Sequence, residues 1–305
     1  MTHKVQAAGA RKETKPLLFL FALLLVAPLV CCNKKTLTPK PQPIISLADR
    51  EPAWSPDGHT IAYRHAPRGD RKESLTDTFG IFLIDTSGAN RRVLVPHPFG
   101  FAYDPTFSPD GHWVAFSMEG VIYKIKINGD SITKLTKGSS DFLPGWSPDG
   151  NLIVYFRAAG PQGEIRLTDK DGSFDSMLLP GIYPNWSNDG ERILCITYFE
   201  QSYITIFNRN DSTFKKVKSF PGGWSDIRWS PSNDRILITI SGTSGPFLYV
   251  MDTLGQSLQL LTNFSSGNAD WSPDGQKIVF VDARAEVGRL VIMNSDGSNR
   301  KQLTF

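Results

Sequence analysis

The sequence predicts an all-β protein, a six-bladed β-propeller of four-stranded blades. Three observations carry this. One turn motif recurs six times at spacings close to 40 residues, apolar residues alternate with period two after each copy, and no segment longer than a turn shows helical periodicity. The composition of the 305 residues agrees: 40% hydrophobic, 11% aromatic and 21% charged, with 26 Gly and 21 Pro, which excludes disorder, a coiled coil and a multi-span membrane protein.

Residues 1–31 read as a lipoprotein signal peptide. The apolar run Leu17 to Val30 follows Arg11, Lys12 and Lys15 and is closed by Cys31-Cys32. Its 14 residues cover about 21 Å as a helix, short of a bilayer core of roughly 30 Å. Cys32 is the expected acylated residue, with Cys31 the alternative; an uncleaved anchor is the competing reading, and both tether the chain to a membrane from outside the cytoplasm. Residues 32–43 then form a flexible tether with three Lys, three Pro and no acid, a composition that cannot bury a core. Leader and tether each hold an excess of three positive charges, so the formal net charge of +3 leaves residues 44–305 mildly acidic. A domain without basic excess lacks what phosphate neutralisation requires, which argues against a nucleic-acid partner.

Residues 44–305 hold the repeats. The motif stands at Trp54-Ser-Pro-Asp-Gly58, Phe107-Ser-Pro-Asp-Gly111, Trp146-Ser-Pro-Asp-Gly150, Trp186-Ser-Asn-Asp-Gly190, Trp229-Ser-Pro-Ser-Asn233 and Trp271-Ser-Pro-Asp-Gly275. Pro presets φ, Gly or Asn supplies a positive φ, and Ser and Asp bond the turn backbone, while the aromatic wedges between blades. The motif acids Asp57, Asp110, Asp149, Asp189 and Asp274 therefore read as scaffold. The apolar pairs Ile61/Tyr63, Val114/Phe116, Ile153/Tyr155, Ile193/Cys195, Ile236/Ile238 and Ile278/Phe280 mark the second strand of each unit. A third strand and turn follow, as in IFLIDTSG at 81–88, and a short fourth strand ends in Leu-Thr at Leu135-Thr136, Leu261-Thr262 and Leu303-Thr304. Cys195, the one cysteine apart from Cys31 and Cys32, sits in an apolar stretch and reads as packing.

These repeats resemble those of the TolB-type six-bladed β-propeller, written around W-S-P-D-G, a following apolar strand and a closing L-T. The resemblance covers residues 51–305. It implies the fold; similar blades occur in binding proteins, in the gating propellers of prolyl peptidases and in some carbohydrate-active enzymes.

With strands A to D running outward from the axis, the W-S-P-D-G turns and the C–D turns share one face, and the B–C loops and D–A connections the other. The second face is irregular and gathers Phe99, Phe101, Tyr103, Asp104, Phe142, Tyr183, Trp224, Asp226, Phe264 and Asn268, the expected ligand-binding residues. The alternative is that these aromatics plug gaps between blades. Three positions before each motif aromatic stand Glu51, Asp104, Leu143, Tyr183, Asp226 and Asn268, which pseudo-sixfold symmetry places on one ring; Glu51, Asp104 and Asp226 could there offer oxygen ligands to Ca²⁺. No other cofactor is expected. The insertion from Arg64 to Asp77 lengthens the first unit on the same face. No Gly-x-Ser-x-Gly, H-E-x-x-H or phosphate loop occurs.

The expected function is that of a non-catalytic, lipid-anchored periplasmic propeller, in the outer membrane, that binds an envelope protein or peptide as a monomer. The alternative is a carbohydrate-binding or carbohydrate-cleaving envelope lipoprotein using the same face.

Overall fold

The computed structural model describes residues 49–65, 79–96, 101–198, 201–219, 223–242, 245–284 and 288–305. The leader, Cys31, Cys32, the tether, most of the blade-1 insertion and Phe99 lie outside the described residues. Six four-stranded antiparallel sheets follow one another along the chain, each in sequential strand order. Blade 1 comprises β1 (Arg50–Trp54), β2 (Thr60–His65), β3 (Gly80–Asp85) and β4 (Arg92–Pro96); blade 2 comprises β5 (Ala102–Phe107), β6 (Trp113–Met118), β7 (Val121–Lys126) and β8 (Thr133–Lys134). Blade 3 holds β9 (Asp141–Trp146), β10 (Leu152–Arg157), β11 (Glu164–Asp169) and β12 (Ser176–Pro180); blade 4 holds β13 (Ile182–Trp186), β14 (Arg192–Tyr198), β15 (Ser202–Asn208) and β16 (Thr213–Lys218). Blade 5 runs through β17 (Gly223–Trp229), β18 (Arg235–Gly242), β19 (Gly245–Asp252) and β20 (Leu258–Leu260), and blade 6 through β21 (Ser266–Trp271), β22 (Lys277–Asp282), β23 (Arg289–Asn294) and β24 (Lys301–Gln302). The outermost strand of blade 6 is thus C-terminal. Among the described residues no helix is long and apolar enough to cross a membrane.

The core is divided into clusters, one at each blade junction. Phe107, Val114 and Phe116 of blade 2 pack on Ala62, Ile81 and Leu83 of blade 1, and Trp271, Ile278 and Phe280 of blade 6 pack on Leu237, Leu248 and Val250 of blade 5. The second strands are covered on both faces, which explains why they read as nearly continuous apolar runs: Ile61, Ala62 and Tyr63 are all fully buried. The last junction is built in the same way, with Trp54, Ile61 and Tyr63 of blade 1 against Val279, Leu290 and Ile292 of blade 6. Cys195 lies in the blade 3–blade 4 cluster, where burial raises its thiol pKa.

The motif chemistry is observed in detail. In blade 1 the Ser55 hydroxyl donates to Asp57 Oδ1 (2.5 Å) and accepts from the Thr60 amide (2.9 Å), while Asp57 Oδ1 also accepts from the His59 amide (3.0 Å). The bonds recur at Ser272 and Asp274 of blade 6. Adjacent turns also touch: a β-carbon on Gly150 (φ 70°) would lie 3.7 Å from Pro109 of the preceding blade. The junction between blades 4 and 5 departs from this pattern twice at one place. Asn188 replaces the proline and Asn233 (φ 59°) the glycine, and the Asn188 amide donates to Asn233 Oδ1 at 2.7 Å. Asp234 takes over as acceptor of the Ser230 hydroxyl at 2.8 Å. The closing Leu-Thr has a role of its own. Thr136, Thr262 and Thr304 accept the amides of Ile122, Leu248 and Leu290 at 3.1, 3.0 and 2.9 Å, tying each short fourth strand to its neighbour.

In five blades the C–D turn donates an amide to a carbonyl of the A–B turn, as from Thr86 to His59 (3.0 Å) and from Lys170 to Asn151 (3.0 Å). These two sets of turns therefore occupy one face, and the D–A and B–C connections the other.

Candidate functional site

All six ring residues adopt left-handed backbone. Their φ values are 55° at Glu51, 54° at Asp104, 55° at Leu143, 53° at Tyr183, 63° at Asp226 and 46° at Asn268. Each innermost strand carries a bulge here, seen as a break in its pairing with the second strand, for example between Tyr103 and Thr106. Left-handed conformation is uncommon for residues other than glycine, and Leu and Tyr have no side-chain compensation for it. Six such bulges at one level re-aim six side chains toward the axis.

They line a central cavity of about 120 Å³ together with a second tier one residue before each motif aromatic: Ala53, Thr106, Gly145, Asn185, Arg228 and Asp270. The polar groups of both tiers join the blades. Glu51 Oε2 accepts the amide of Asp104 (3.0 Å), Asp104 Oδ2 that of Leu143 (3.2 Å) and Asp226 Oδ2 that of Ala269 (2.8 Å). In the second tier Asn185 Oδ1 accepts the Trp229 amide (2.8 Å), Asp270 Oδ2 accepts the Trp54 amide (2.9 Å), and the Trp186 indole donates to the Gly145 carbonyl (3.2 Å). Every junction is therefore bridged at the channel wall.

The channel is chemically two-sided. Blades 5, 6, 1 and 2 contribute Asp226, Asp270, Glu51 and Asp104, while blades 3 and 4 contribute Leu143, Pro144, Tyr183 and Pro184. Two guanidinium groups face the acids: Arg228 lies 2.6 Å from Asp226 and 3.9 Å from Asp270, and Arg64 lies 3.3 Å from Glu51. The narrow wall desolvates the carboxylates, so burial raises Glu51 to about 7, with Asp104 adding to the shift. Burial likewise raises Asp104, and raises Asp270 to about 6 against the opposing pull of Arg228. Burial alone would lower Arg228; the surrounding acids, Asp226 foremost, outweigh it and hold the guanidinium firmly charged.

The acids expected to hold Ca²⁺ each give one carboxylate oxygen to a backbone amide of the next blade. A cation at Glu51, Asp104 and Asp226 would compete for oxygens already bonded to the amides of Asp104, Leu143 and Ala269. Among the described residues no three His, Cys, Asp or Glu side chains group as metal ligands.

Of the residues expected at the mouth, Asp104, Tyr183, Asp226 and Asn268 line the cavity. The others are distributed around it. Phe101 is half exposed and meets Phe79 edge-on at 5.9 Å, and Tyr103 lies beneath the Arg64 guanidinium at 4.8 Å. Phe142 is opposite Phe156 in the blade-3 ladder, and Phe264 packs on the blade 5–blade 6 core under Arg284 at 3.9 Å. Phe99 and the Trp224 side chain lie outside the described residues. Arg64, Arg228 and Asp270 were missed. The repeat alignment that placed the first ring would have placed the second tier too, had the position before the motif aromatic been compared.

The fold is a six-bladed propeller with polar latches around a narrow axial channel, and its relatives place it more closely. The TolB beta propeller domain model matches residues 157–305. An uncharacterized protein of Agrobacterium fabrum is 27% identical over 251 residues, covering 75% of this chain and 84% of that protein. An uncharacterized peptidase of Bacillus subtilis is 26% identical over 210 residues, 66% of this chain but only 30% of the peptidase. Among solved structures, TolB from Acinetobacter baumannii aligns with a TM-score of 0.66 at 19% identity, covering 88% of this chain and 66% of that one. The putative TolB from Agrobacterium tumefaciens aligns at 0.63 and 23%, covering 70% and 84%. The chain is a six-bladed β-propeller of the same fold as these TolB structures, and residues 157–305 of it match the TolB beta propeller domain.

Proposed function

We propose that this chain is a non-catalytic recognition propeller, held by lipid at Cys32 on the periplasmic side of a bacterial outer membrane, that binds an envelope protein or peptide at the mouth of its axial channel. The observation that carries the reading is the ring of six left-handed bulges, which presents acids from three blades, an amide from one and Leu143 and Tyr183 from the other two around one opening. A rigid ring of this kind supplies both a charged and an apolar contact at little ordering cost, as recognition of a short chain segment requires. The matched portion of the Bacillus peptidase is less than a third of that protein, so its chemistry supports no enzymatic reading of this chain.

Photo-crosslinking in bacterial envelopes tests the site. A crosslinkable residue at Phe101, on the loop face, is expected to capture a protein; one at His59, on the turn face, is not. Capture from His59 alone would move the site to the other face. Retention of a glycan, with polysaccharide turnover lost in Asp226→Asn, would replace the reading with the carbohydrate-active alternative.

A further inference from the structure

A groove of about 720 Å³ opens on the turn face between blades 6 and 1, bordered by Trp54, Asp57, Asp274, Lys277, Ile292 and Lys301. It has the size of a small-ligand site and shares no residue with the channel wall. One register position accounts for it. Arg192, six residues after Trp186, lies 5.0 Å over the Trp229 ring of the next blade and binds Asp189 Oδ2 at 2.6 Å; Arg235, six after Trp229, lies 5.0 Å over Trp271. The same position ahead of Trp54 holds Lys277, which makes neither contact. A guanidinium is planar, weakly hydrated and stacks on a ring, whereas an ammonium is a compact, strongly hydrated charge. Trp54 is left without the cap that Trp229 and Trp271 have.

The motif acids differ here in the same sense. Asp110, Asp149 and Asp189 each hold a nearby side chain on Oδ2, from His112 (3.2 Å), Asn151 (3.0 Å) and Arg192. Asp57 and Asp274 use Oδ1 in their own turns, and among the described residues no other residue engages their Oδ2. Lys301 Nζ donates one N–H to the Ser87 carbonyl at 3.1 Å and keeps two. The turn amides at the groove are consumed internally, that of Thr86 by the His59 carbonyl and that of Gly58 by Ser55. Recognition therefore falls to side chains: two carboxylates as acceptors, two ammonium groups as donors, their charges cancelling, and the apolar Trp54 and Ile292. We propose that this groove binds a neutral saccharide.

A pyranose ring joins an apolar C–H face to a rim of hydroxyls that each donate and accept, which matches an aromatic beside paired acceptors and donors of no net charge. A peptide strand docks instead on open backbone donors, and these turns have spent theirs. Calorimetric titration of the full chain with maltotriose, cellotriose and triacetylchitotriose tests the site. At least one of them is expected to bind, with one site per chain. Lys277→Arg keeps the charge but supplies the guanidinium that caps Trp229 and Trp271 in the neighbouring junctions. It is expected to weaken binding about tenfold, the loss of roughly one hydrogen bond to a charged group, while the melting temperature holds or rises. Asp226→Asn, on the channel wall, leaves the affinity unchanged, so the result is independent of what the channel mouth binds. Failure of all three sugars to bind, or native affinity in Lys277→Arg, overturns the proposal. Loss of binding in Asp226→Asn places the sugar in the channel and overturns it equally.

Discussion

Asn188 and Asn233 show why a repeat is read best in pairs. Each departs from its motif, and taken singly each looks like a tolerated exchange that preserves turn geometry. They face each other across one junction, where an amide bond to a side chain replaces the proline-on-glycine contact. Asn188→Pro removes the donor and Asn233→Gly the acceptor, so either alone is expected to destabilise the protein, while the double variant restores the contact found elsewhere. A double-mutant cycle in chemical denaturation should give a coupling of about 1 kcal/mol. Glu51 carries a second expectation. Its carboxyl, ordinarily at 4.5, is raised to about 7 by burial, so between those values the folded state holds a proton that the unfolded state has lost. Stability due to this group consequently falls as pH rises through that window. Relative to the native protein, Glu51→Gln should gain on the order of 2 kcal/mol between pH 4.5 and 8, measured by denaturation at each pH; a pH-independent difference would refute it.

Each strand's place in the blade explains its composition. Second and third strands lie between neighbouring sheets and need apolar residues on both faces, whereas β16, with Phe214 and Lys215 exposed, and β20 lie at the rim and tolerate polar ones. Three of the fourth strands are short: β8 and β24 have two residues each and β20 three. Their attachment depends on the Leu-Thr that follows, the Leu entering the core and the Thr bonding the third strand. Thr136→Val keeps the shape but leaves the buried Ile122 amide without its acceptor, and is expected to cost about 1–2 kcal/mol in thermal or chemical unfolding. These strands and turns were legible because their periodicity and turn residues are local properties. The bulge in each first strand was not, since Asp-Pro at 104–105 and Asp-Ile at 226–227 share no local signal for a left-handed residue.

The ring has no central core, because its apolar contacts lie in the junctions and each blade completes two of them. Removing any blade therefore exposes the clusters on both its sides. A chain ending at residue 262, without blade 6, loses the packing partners of Trp54, Ile61 and Tyr63 as well as those of Leu237 and Leu248. It is expected to show no cooperative melting by calorimetry or near-ultraviolet dichroism, whereas the intact propeller melts in a single transition. A truncated chain melting cooperatively would show that the blades are independent, as units of an open repeat array are.

The sequence by itself determined the number of blades, their strand content, the faces on which the turns lie and the level of the ring. All of these follow from spacing, period and turn chemistry, which act over a few residues and repeat. Only the tertiary structure decided what the ring acids do. Their partners are amides 39 to 53 residues away along the chain, as from Asp104 to Leu143 and from Glu51 to Asp104, and the Asp270 latch to Trp54 spans 216. Such pairings exist only once the blades have closed into a circle. The same closure confines Glu51, Asp104 and Asp270 in a narrow wall, where burial raises their carboxyl pKa above the ordinary range.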